Sequence, residues 1–441
     1  MIRGGILNSR ARPVRRSVPA VARALAGTAV AAVGGLAVSL ATGVVPALAA
    51  QHPGGPAASQ TRADARGQHS TAGRMSPGTP WARIAAGGDH TCGIRTDGTL
   101  WCWGDNASGE LGLGNHTGQD RPRQVTTPAA GGWASITAGT FYTCATRTGG
   151  TLWCWGDNDS GALGLGPGGG AGQDLPRQVT TPARGGWAYV TAGGEDTCGI
   201  RTDATLWCWG NNWEGQLGIG NELSQGRPRQ VTTPTTSGWA SVTTAGDHTC
   251  ATRTGGTLWC WGSNSNGQLG LGDHSGHDRP RQVTIPTTGG WASVTAGGQD
   301  TCAIRTGGTL WCWGYGYYGQ LGIGNHKGEC HPQQVTVPAT GGWASIDATG
   351  YYTCATRADG TLWCWGSNYS GELGIGGDTD QELPRQVTTP ATGGWAGVTA
   401  GFDQTCATRT DGTLWCWGYN DNGELGIGNY TDQDRPRQVT G

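Results

Sequence analysis

The five-residue motif LWCWG recurs seven times along this 441-residue chain and sets the period of the sequence around it. Successive copies start 52 residues apart, with a single spacing of 54 residues. The first tryptophans of the copies are Trp101, Trp153, Trp207, Trp259, Trp311, Trp363 and Trp415. A fixed period of this length indicates a stacked or circular array, in which each repeat buries its apolar face against a neighbour.

Each repeat contains four short β-prone runs and no helical period. In one copy they are WASVTAG, TCAIRT, TLWCW and a final run of the PRQVT type, separated by Gly, Pro and Asp. Four strands per repeat are typical of a β-propeller blade. The sequence therefore predicts an all-β, seven-bladed β-propeller of about 28 antiparallel strands over residues 80–441. We also expect the last run, at 436–441, to join the blade that contains residues 81–103 and so close the ring.

The cysteines follow the same period, two per repeat and ten residues apart, and only Cys330 is left over. A three-residue hairpin loop with Gly98 in the left-handed region would place Cys92 opposite Cys102. Opposed Cα atoms of a non-hydrogen-bonded pair lie about 4.5 Å apart, within disulfide range. This predicts one cross-strand disulfide per blade: Cys92–Cys102, Cys144–Cys154, Cys198–Cys208, Cys250–Cys260, Cys302–Cys312, Cys354–Cys364 and Cys406–Cys416. The tryptophans would then lie on the other face of each sheet and fill the space between blades.

The N-terminal residues 1–50 have the pattern of a secretory signal peptide. A charged stretch, RARPVRR, precedes an uncharged run from Ala24 to Ala50 that ends in small residues. This predicts cleavage near Ala49–Ala50 and a secreted, extracellular protein with no stable membrane span after cleavage. The run also exceeds the roughly 20 residues that cross a bilayer, so retention as an anchor is the alternative. Residues 51–79, rich in Gly, Ser, Thr, Pro and Gln, are predicted to be a flexible linker.

Composition disfavours several classes of function. The net charge is −2 and no basic stripe occurs, so nucleic-acid binding is not expected. Acidic residues in variable loops are usually solvated, which argues against catalysis, and we expect no enzyme activity and no cofactor. His326, Cys330 and His331 are candidate metal ligands, but three in one loop are a weak signal and no metal site is predicted. The spare Cys330 is alternatively a site for pairing between chains.

Residues 86–114, AGGDHTCGIRTDGTLWCWGDNASGELGLG, resemble the repeat of the regulator of chromosome condensation family. The shared marks are the A-G-G-x-H start, the D-G turn, the aromatic-x-W-G strand end and the N-x-x-G-x-L-G-x-G loop. The resemblance covers all seven repeats and implies a seven-bladed propeller, although the paired cysteines depart from the family pattern. Founding members of that family are nuclear exchange factors for a small GTPase, a partner that an exported protein would not meet. Secreted bacterial propellers of this kind include a β-lactamase inhibitor protein.

The seven copies differ mainly at two places, both expected on the same face of the propeller. One precedes the T-C pair and the other follows W-G-x-N. Aromatic residues that the scaffold does not need gather there, as they do at interfaces. The predicted binding residues are Phe141, Tyr142, Trp213, Glu214, Tyr315, Tyr317, Tyr318, Tyr351, Tyr352, Tyr369, Phe402 and Tyr419. The alternative is that these side chains fill the central channel or pack between loops.

The function predicted from the sequence is that of an exported, non-enzymatic binding propeller that engages an extracellular or cell-surface protein through one face. Three alternatives remain open. One is an inhibitor of a secreted or periplasmic-type enzyme such as a β-lactamase, and another is a glycan-binding propeller. The third is a guanine-nucleotide exchange factor, which rests on the family resemblance alone and which export disfavours.

Overall fold

The structure is a computed structural model that describes residues 79–129, 131–166 and 171–440. The predicted signal peptide, and the predicted linker apart from residue 79, lie outside the described residues.

Twenty-eight β-strands form seven four-stranded antiparallel sheets, one from each repeat. Blade 1 contains β1 (Trp81–Ala86), β2 (His90–Arg95), β3 (Leu100–Gly104) and β4 (Gln119–Gln124), and blade 2 contains β5 (Trp133–Ala138), β6 (Tyr142–Arg147), β7 (Leu152–Gly156) and β8 (Gln173–Val179). Blade 3 contains β9 (Trp187–Ala192), β10 (Asp196–Arg201), β11 (Leu206–Gly210) and β12 (Gln225–Gln230), and blade 4 contains β13 (Trp239–Ala245), β14 (His248–Arg253), β15 (Leu258–Gly262) and β16 (His277–Val283). Blade 5 contains β17 (Trp291–Ala296), β18 (Asp300–Arg305), β19 (Leu310–Gly314) and β20 (Glu329–Val335), and blade 6 contains β21 (Trp343–Ala348), β22 (Tyr352–Arg357), β23 (Leu362–Gly366) and β24 (Gln381–Gln386). Blade 7 contains β25 (Trp395–Ala400), β26 (Gln404–Arg409), β27 (Leu414–Gly418) and β28 (Gln433–Gln438). The predicted fold class is confirmed.

The first strand of each blade lines a central channel, and the fourth strand lies at the outer rim. Because the strands alternate in direction, the loop after the first strand and the long loop after the third strand lie on one face, which we call the loop face. The hairpin turn after the second strand and the connector between blades lie on the other face, which we call the turn face.

The hairpin between the second and third strands has the predicted register. Gly98 adopts φ +80°, and Cys92 pairs directly with Cys102. The Cα atoms of this pair are 4.1 Å apart. All seven predicted disulfides are present, so the prediction is confirmed. In blade 3 the left-handed position is occupied by Ala204, at φ 60°.

The core lies between blades and is rebuilt seven times from the same side chains. The disulfide face of blade 1, with Leu100 beside Cys92–Cys102, packs against Trp133 and Trp155 of blade 2. The Trp155 ring is fully buried, and its Nε1 donates a hydrogen bond of 2.8 Å to the Glu110 carbonyl of blade 1. The second tryptophan of each LWCWG motif therefore fills the space between blades, as the alternation of side chains predicts.

The ring does not close in the predicted way. The final strand, β28, pairs with β27 of its own blade, and blade 1 is completed by β4 rather than by a C-terminal strand. The expectation that the last run joins blade 1 is wrong, because each repeat supplies all four strands of one blade. Closure instead comes from packing of Trp81 and Trp103 in one cluster with Val439. The Trp103 Nε1 also donates to the Glu424 carbonyl at 2.8 Å.

Side chains on the turn face have framework roles. The Arg95 guanidinium lies 4.7 Å from the ring centres of both Trp81 and Trp101. Equivalent arginines lie over the opening tryptophan in each of the other six blades. The same contact in every blade stabilises the array and distinguishes no blade from another.

Candidate functional site

The loop face is built on a polar clamp that recurs around the ring. In blade 1, Asn106 Nδ2 donates to the Asn115 carbonyl at 2.8 Å, and Asn106 Oδ1 accepts from the Leu111 amide at 2.9 Å. These bonds fix both ends of the long loop after the third strand. The asparagine that accepts from the leucine amide recurs as Asn158, Asn212, Asn264, Asn368 and Asn420.

Blade 5 departs from this clamp. Gly316 occupies the position of the asparagine, and a Cβ there would lie 2.1 Å from the Lys327 carbonyl oxygen. The backbone of this loop therefore occupies the space that a side chain fills in the other six blades. The loop that lacks the hydrogen-bonded asparagine is also the one that contains three tyrosines.

Four tyrosines form one cluster across blades 5 and 6, which we call the tyrosine cluster. The Tyr315 and Tyr317 rings stack at 6.3 Å between centroids. Tyr318 packs edge-on against Tyr317 and against Tyr351 of blade 6, at 5.4 Å in each case. Edge-on and offset contacts of this kind hold aromatic rings in a fixed arrangement. The cluster is therefore a pre-organised aromatic surface, of which Tyr317 is 65% exposed.

By exposure, the predicted binding residues other than Tyr317 fall into three groups. Trp213 and Tyr369 are the most exposed, at 68% and 76%. Phe141, Glu214, Tyr351 and Phe402 are also exposed, whereas Tyr315, Tyr318 and Tyr419 are partly buried. Tyr142 and Tyr352 are buried and do not contribute to the surface.

The two buried tyrosines belong to the packing between blades. The Tyr142 hydroxyl donates to the Asp196 carbonyl at 2.5 Å, and the Tyr352 hydroxyl donates to the Gln404 carbonyl at 2.6 Å. Each tyrosine is the first residue of the second strand of its blade, a position whose side chain lies against the next blade. These two tyrosines therefore pack inside the propeller, against the next blade, and are not available on the loop face.

The charged side chains in the loops of the loop face are mainly acidic, although four arginines of the fourth strands, Arg121, Arg227, Arg279 and Arg435, lie against the long loops. The fourteen loops of this face contain no arginine, and Lys327 is their only lysine. Partial desolvation, together with the nearby carboxylates of Asp247 and Glu222, raises the pKa of Glu214. Burial and the charge of Glu195 likewise raise the pKa of Asp247. The loops around Glu214 and Asp247 therefore carry neighbouring negative charges, which would favour a positively charged partner there.

Buried acids in the blade interfaces have raised pKa values for a different reason. Burial raises the pKa of Asp196 to about 8, although its carboxylate accepts a hydrogen bond from the Thr244 hydroxyl. Burial also raises the pKa of Asp300 well above its ordinary value. Both side chains are fully buried, so neither is placed to meet a substrate.

Of the metal-ligand candidates of blade 5, Cys330 and His331 contact each other, whereas His326 contacts other groups. His326 Nδ1 is 2.9 Å from the Tyr317 carbonyl oxygen, and its Nε2 is 3.6 Å from Glu382. Cys330 Sγ is 3.6 Å from Nδ1 of its neighbour His331. Within the described residues, no group of three or more His, Cys, Asp or Glu side chains is arranged to hold a metal ion.

Sequence reasoning considered the central channel only as a place for aromatic residues of the loops. It missed two residues of the first strands that line this channel, Tyr189 and Asp347. Tyr189 replaces the serine that Ser135, Ser241, Ser293 and Ser345 supply at the same place in other first strands. Asp347 replaces the threonine of Thr137, Thr191, Thr243, Thr295 and Thr399. Both substitutions are visible when the seven copies are compared, but they lie in strands that otherwise resemble framework.

Family comparisons match almost the whole propeller. The profile of the RCC1-like domain matches residues 183–441. That of the regulator of chromosome condensation (RCC1) repeat matches residues 81–110 and 133–162, and a second RCC1 repeat profile matches 97–146 and 149–200.

Curated relatives include an ultraviolet-B receptor and a ubiquitin ligase. The chain is 29% identical over 359 residues to the ultraviolet-B receptor UVR8 of Arabidopsis thaliana, which covers 81% of each protein. It is 30% identical over 313 residues to human E3 ubiquitin-protein ligase HERC2, which covers 68% of this chain but 6% of the ligase.

Solved structures share the fold at lower identity. Human WBSCR16 superposes with a TM-score of 0.69 at 21% identity, over 78% of this chain and 94% of that chain. Yeast RCC1 (Prp20), solved bound to Kap60, superposes with a TM-score of 0.69 at 19% identity, over 86% of this chain and 91% of that chain.

Residues 79–129, 131–166 and 171–440 include no helix that would span a bilayer.

Proposed function

The chain belongs to the regulator of chromosome condensation (RCC1) repeat family, and from that premise we propose that it is a non-enzymatic binding propeller. It engages a protein partner through the aromatic residues of its loop face. Seven disulfides suit an oxidising compartment, so the proposed site of action is outside the cell and the proposed partner is an extracellular or cell-surface protein.

The observation that carries the proposal is the tyrosine cluster on a loop that has lost its framework residue. Blade 5 has Gly316 where the six other blades keep a hydrogen-bonded asparagine, and it places three tyrosines around that glycine. Folding alone does not require the replacement of this asparagine by glycine, since the loops of the other six blades fold with the asparagine. Rigid, exposed tyrosines provide large contact area with little conformational entropy to lose on binding.

Charge supports a partner with a basic surface. The loop face has acidic residues on both sides of the cluster and Lys327 as its single lysine. Complementary charge raises the rate of association and disfavours acidic competitors. Glycans, which are mostly neutral or acidic, gain less from such a face than a basic protein does.

Relatives support protein binding as a use of this fold. Prp20 from Saccharomyces cerevisiae is described through its binding to Gsp1p and histones, and its structure with Kap60 is a protein complex. These partners are those of the yeast protein. An identity of 19% shows that the two chains share a fold, and it does not transfer any contact residue to this chain.

The test is an affinity capture with a variant matched to the neighbouring blade. Tyr315→Ser, Tyr317→Ser and Tyr318→Asn give blade 5 the residues that blade 4 has at Ser263, Ser265 and Asn266, and Gly316 is kept. The full-length wild type and this variant are immobilised and exposed to culture supernatant and cell-envelope extracts. Gly307→Arg on the turn face of blade 5 is the control, since a Cβ at Gly307 meets nothing within 4 Å.

We expect a protein that is retained by wild type and Gly307→Arg and lost by the tyrosine variant. Clusters of interface aromatics commonly contribute 2 kcal/mol or more each, roughly a 30-fold loss of affinity per residue. Equal retention by all three baits would refute binding through the cluster. Retention of an enzyme with loss of its activity would identify an inhibitor, and binding only to a glycan array would favour the glycan alternative.

A further inference from the structure

The central channel contains a chamber at its loop-face end. The chamber has a volume of about 450 Å³ and is lined by the first strands of all seven blades, with Phe402 at its mouth. Tyr189 is one of six residues that line both this chamber and a second cavity toward the turn face, so it lies where the two cavities adjoin. The volume lies within the range of sites for small molecules.

Among the described residues, Asp347 is the only charged one that lines the chamber. One carboxylate oxygen accepts from the Ala400 amide at 3.0 Å, and the other accepts from the Thr295 hydroxyl at 3.3 Å. Arg83 lines the second cavity and does not line the chamber. Among the described residues that line the chamber there is therefore no Lys, Arg or His to balance the charge of Asp347.

The framework does not need this charge. In other blades the equivalent threonine makes the same bond to the next blade: Thr137 Oγ1 accepts from the Ala192 amide at 2.9 Å, and Thr399 Oγ1 accepts from the Ala86 amide at 3.2 Å. A threonine at 347 would thus accept from the Ala400 amide without the desolvation of a carboxylate. Burial opposes the charge and raises the pKa of Asp347 to about 6.

Tyr189 and Asp347 line the same chamber. Tyr189 belongs to blade 3, whereas Asp347 belongs to blade 6, three blades away in a ring of seven. Burial raises the pKa of Tyr189, the charge of Asp347 raises it further, and the charge of Arg83 lowers it. The chamber thus combines one carboxylate, one aromatic ring and a belt of threonine hydroxyls.

We propose that this chamber binds a small organic ammonium ion, with Asp347 as its counter-ion and the Tyr189 ring as its floor. An ammonium group satisfies the carboxylate by a charge-assisted hydrogen bond, interacts favourably with the face of the ring, and donates its remaining hydrogens to threonine oxygens. A metal ion is a poor occupant, because one carboxylate and hydroxyls provide too few strong ligands. This site is independent of the proposed protein partner, since none of the tyrosine-variant positions lines the chamber.

The test uses benzylamine and n-butylamine as probes, with benzyl alcohol as the neutral analogue and benzoate as the anionic one. Binding to the full-length protein is measured at pH 8 by isothermal titration and by saturation-transfer NMR. Asp347→Thr and Tyr189→Ser are the variants, because other blades already fold with threonine and serine at these positions. Circular dichroism and the unfolding midpoint check that each variant is folded.

We expect at least one amine to bind with a Kd of about 1 mM or less, and both analogues to bind at least about tenfold more weakly. Asp347→Thr is expected to weaken amine binding by about tenfold or more, and Tyr189→Ser by several-fold through loss of the ring. Equal binding of benzyl alcohol, unchanged affinity in Asp347→Thr, or no binding of either amine at about 10 mM would overturn the proposal.

Discussion

Glu424→Gln is expected to stabilise this protein, and increasingly so as the pH rises. Three blades carry a buried glutamate, Glu110, Glu372 or Glu424, where three others carry Gln216, Gln268 or Gln320. The two residue types make the same bond: Glu424 Oε2 accepts from the Asn422 amide, and Gln268 Oε1 accepts from the Asn266 amide, both at 2.9 Å. The other oxygen, Glu424 Oε1, is buried and has no partner among the described residues.

The size of the effect follows from the pKa of Glu424, which burial raises from 4.5 to about 8. Between these values the unfolded chain has lost the proton and the folded chain keeps it. The stability contributed by the neutral carboxyl is therefore complete below pH 4.5 and is lost as the pH rises through 8. The slope is about 1.4 kcal/mol per pH unit, which gives a loss of about 3 kcal/mol at pH 7 and about 4 kcal/mol at pH 8. Glutamine does not titrate and escapes this loss.

The assay is urea unfolding of wild type and Glu424→Gln at pH 5 and pH 8, with the disulfides intact. The variant should exceed wild type by about 1 kcal/mol at pH 5 and by about 4 kcal/mol at pH 8. The reverse substitution, Gln268→Glu, should destabilise with the same pH dependence. A difference that is equal at the two pH values, or a variant less stable than wild type at pH 8, would refute the reasoning.

Two further predictions concern the hairpin of each blade. Replacing Cys92 and Cys102 together by alanine should lower the free energy of unfolding by about 2–3 kcal/mol, because the closed loop no longer restricts the unfolded chain. A free energy of unfolding in urea that does not change would contradict this. Ala204→Gly should raise it by about 1 kcal/mol, since a left-handed backbone strains alanine, and Gly256→Ala at the equivalent position of blade 4, φ +74°, should lower it by a similar amount. A thermal unfolding midpoint that moves the opposite way in either variant would contradict the assignment of strain.

The blade was predictable because seven copies repeat the same physical solution. A separation of ten positions between the cysteines and a Gly at the turn determine the register of the hairpin, and that register brings Cys92 against Cys102. The alternation of a strand then sends Trp103 to the opposite face. Ring closure was not predictable in this way, because the pattern of one repeat is the same whether β28 pairs with its own blade or with blade 1.

The loop face was only partly predictable for a related reason. Variation among the copies shows that a position does not require one particular residue type, but it does not show whether the side chain there is exposed. Tyr142 and Tyr352 vary among the copies because Asp, His and Gln also fit the space between blades. Conversely, Asp347 and Tyr189 lie in strands of regular pattern, and only the closure of the ring brings blades 3 and 6 to opposite sides of one channel.

The most direct test of a binding loop face is photo-cross-linking from defined positions. A photoreactive p-benzoylphenylalanine replaces Tyr317 in one protein and Gly307, on the turn face of the same blade, in another. Both proteins are irradiated with culture supernatant and cell-envelope extract, and the adducts are identified by mass spectrometry. The account predicts a protein adduct from position 317 that is absent from position 307. Adducts from position 307 alone, or the same adducts from both positions, would contradict it.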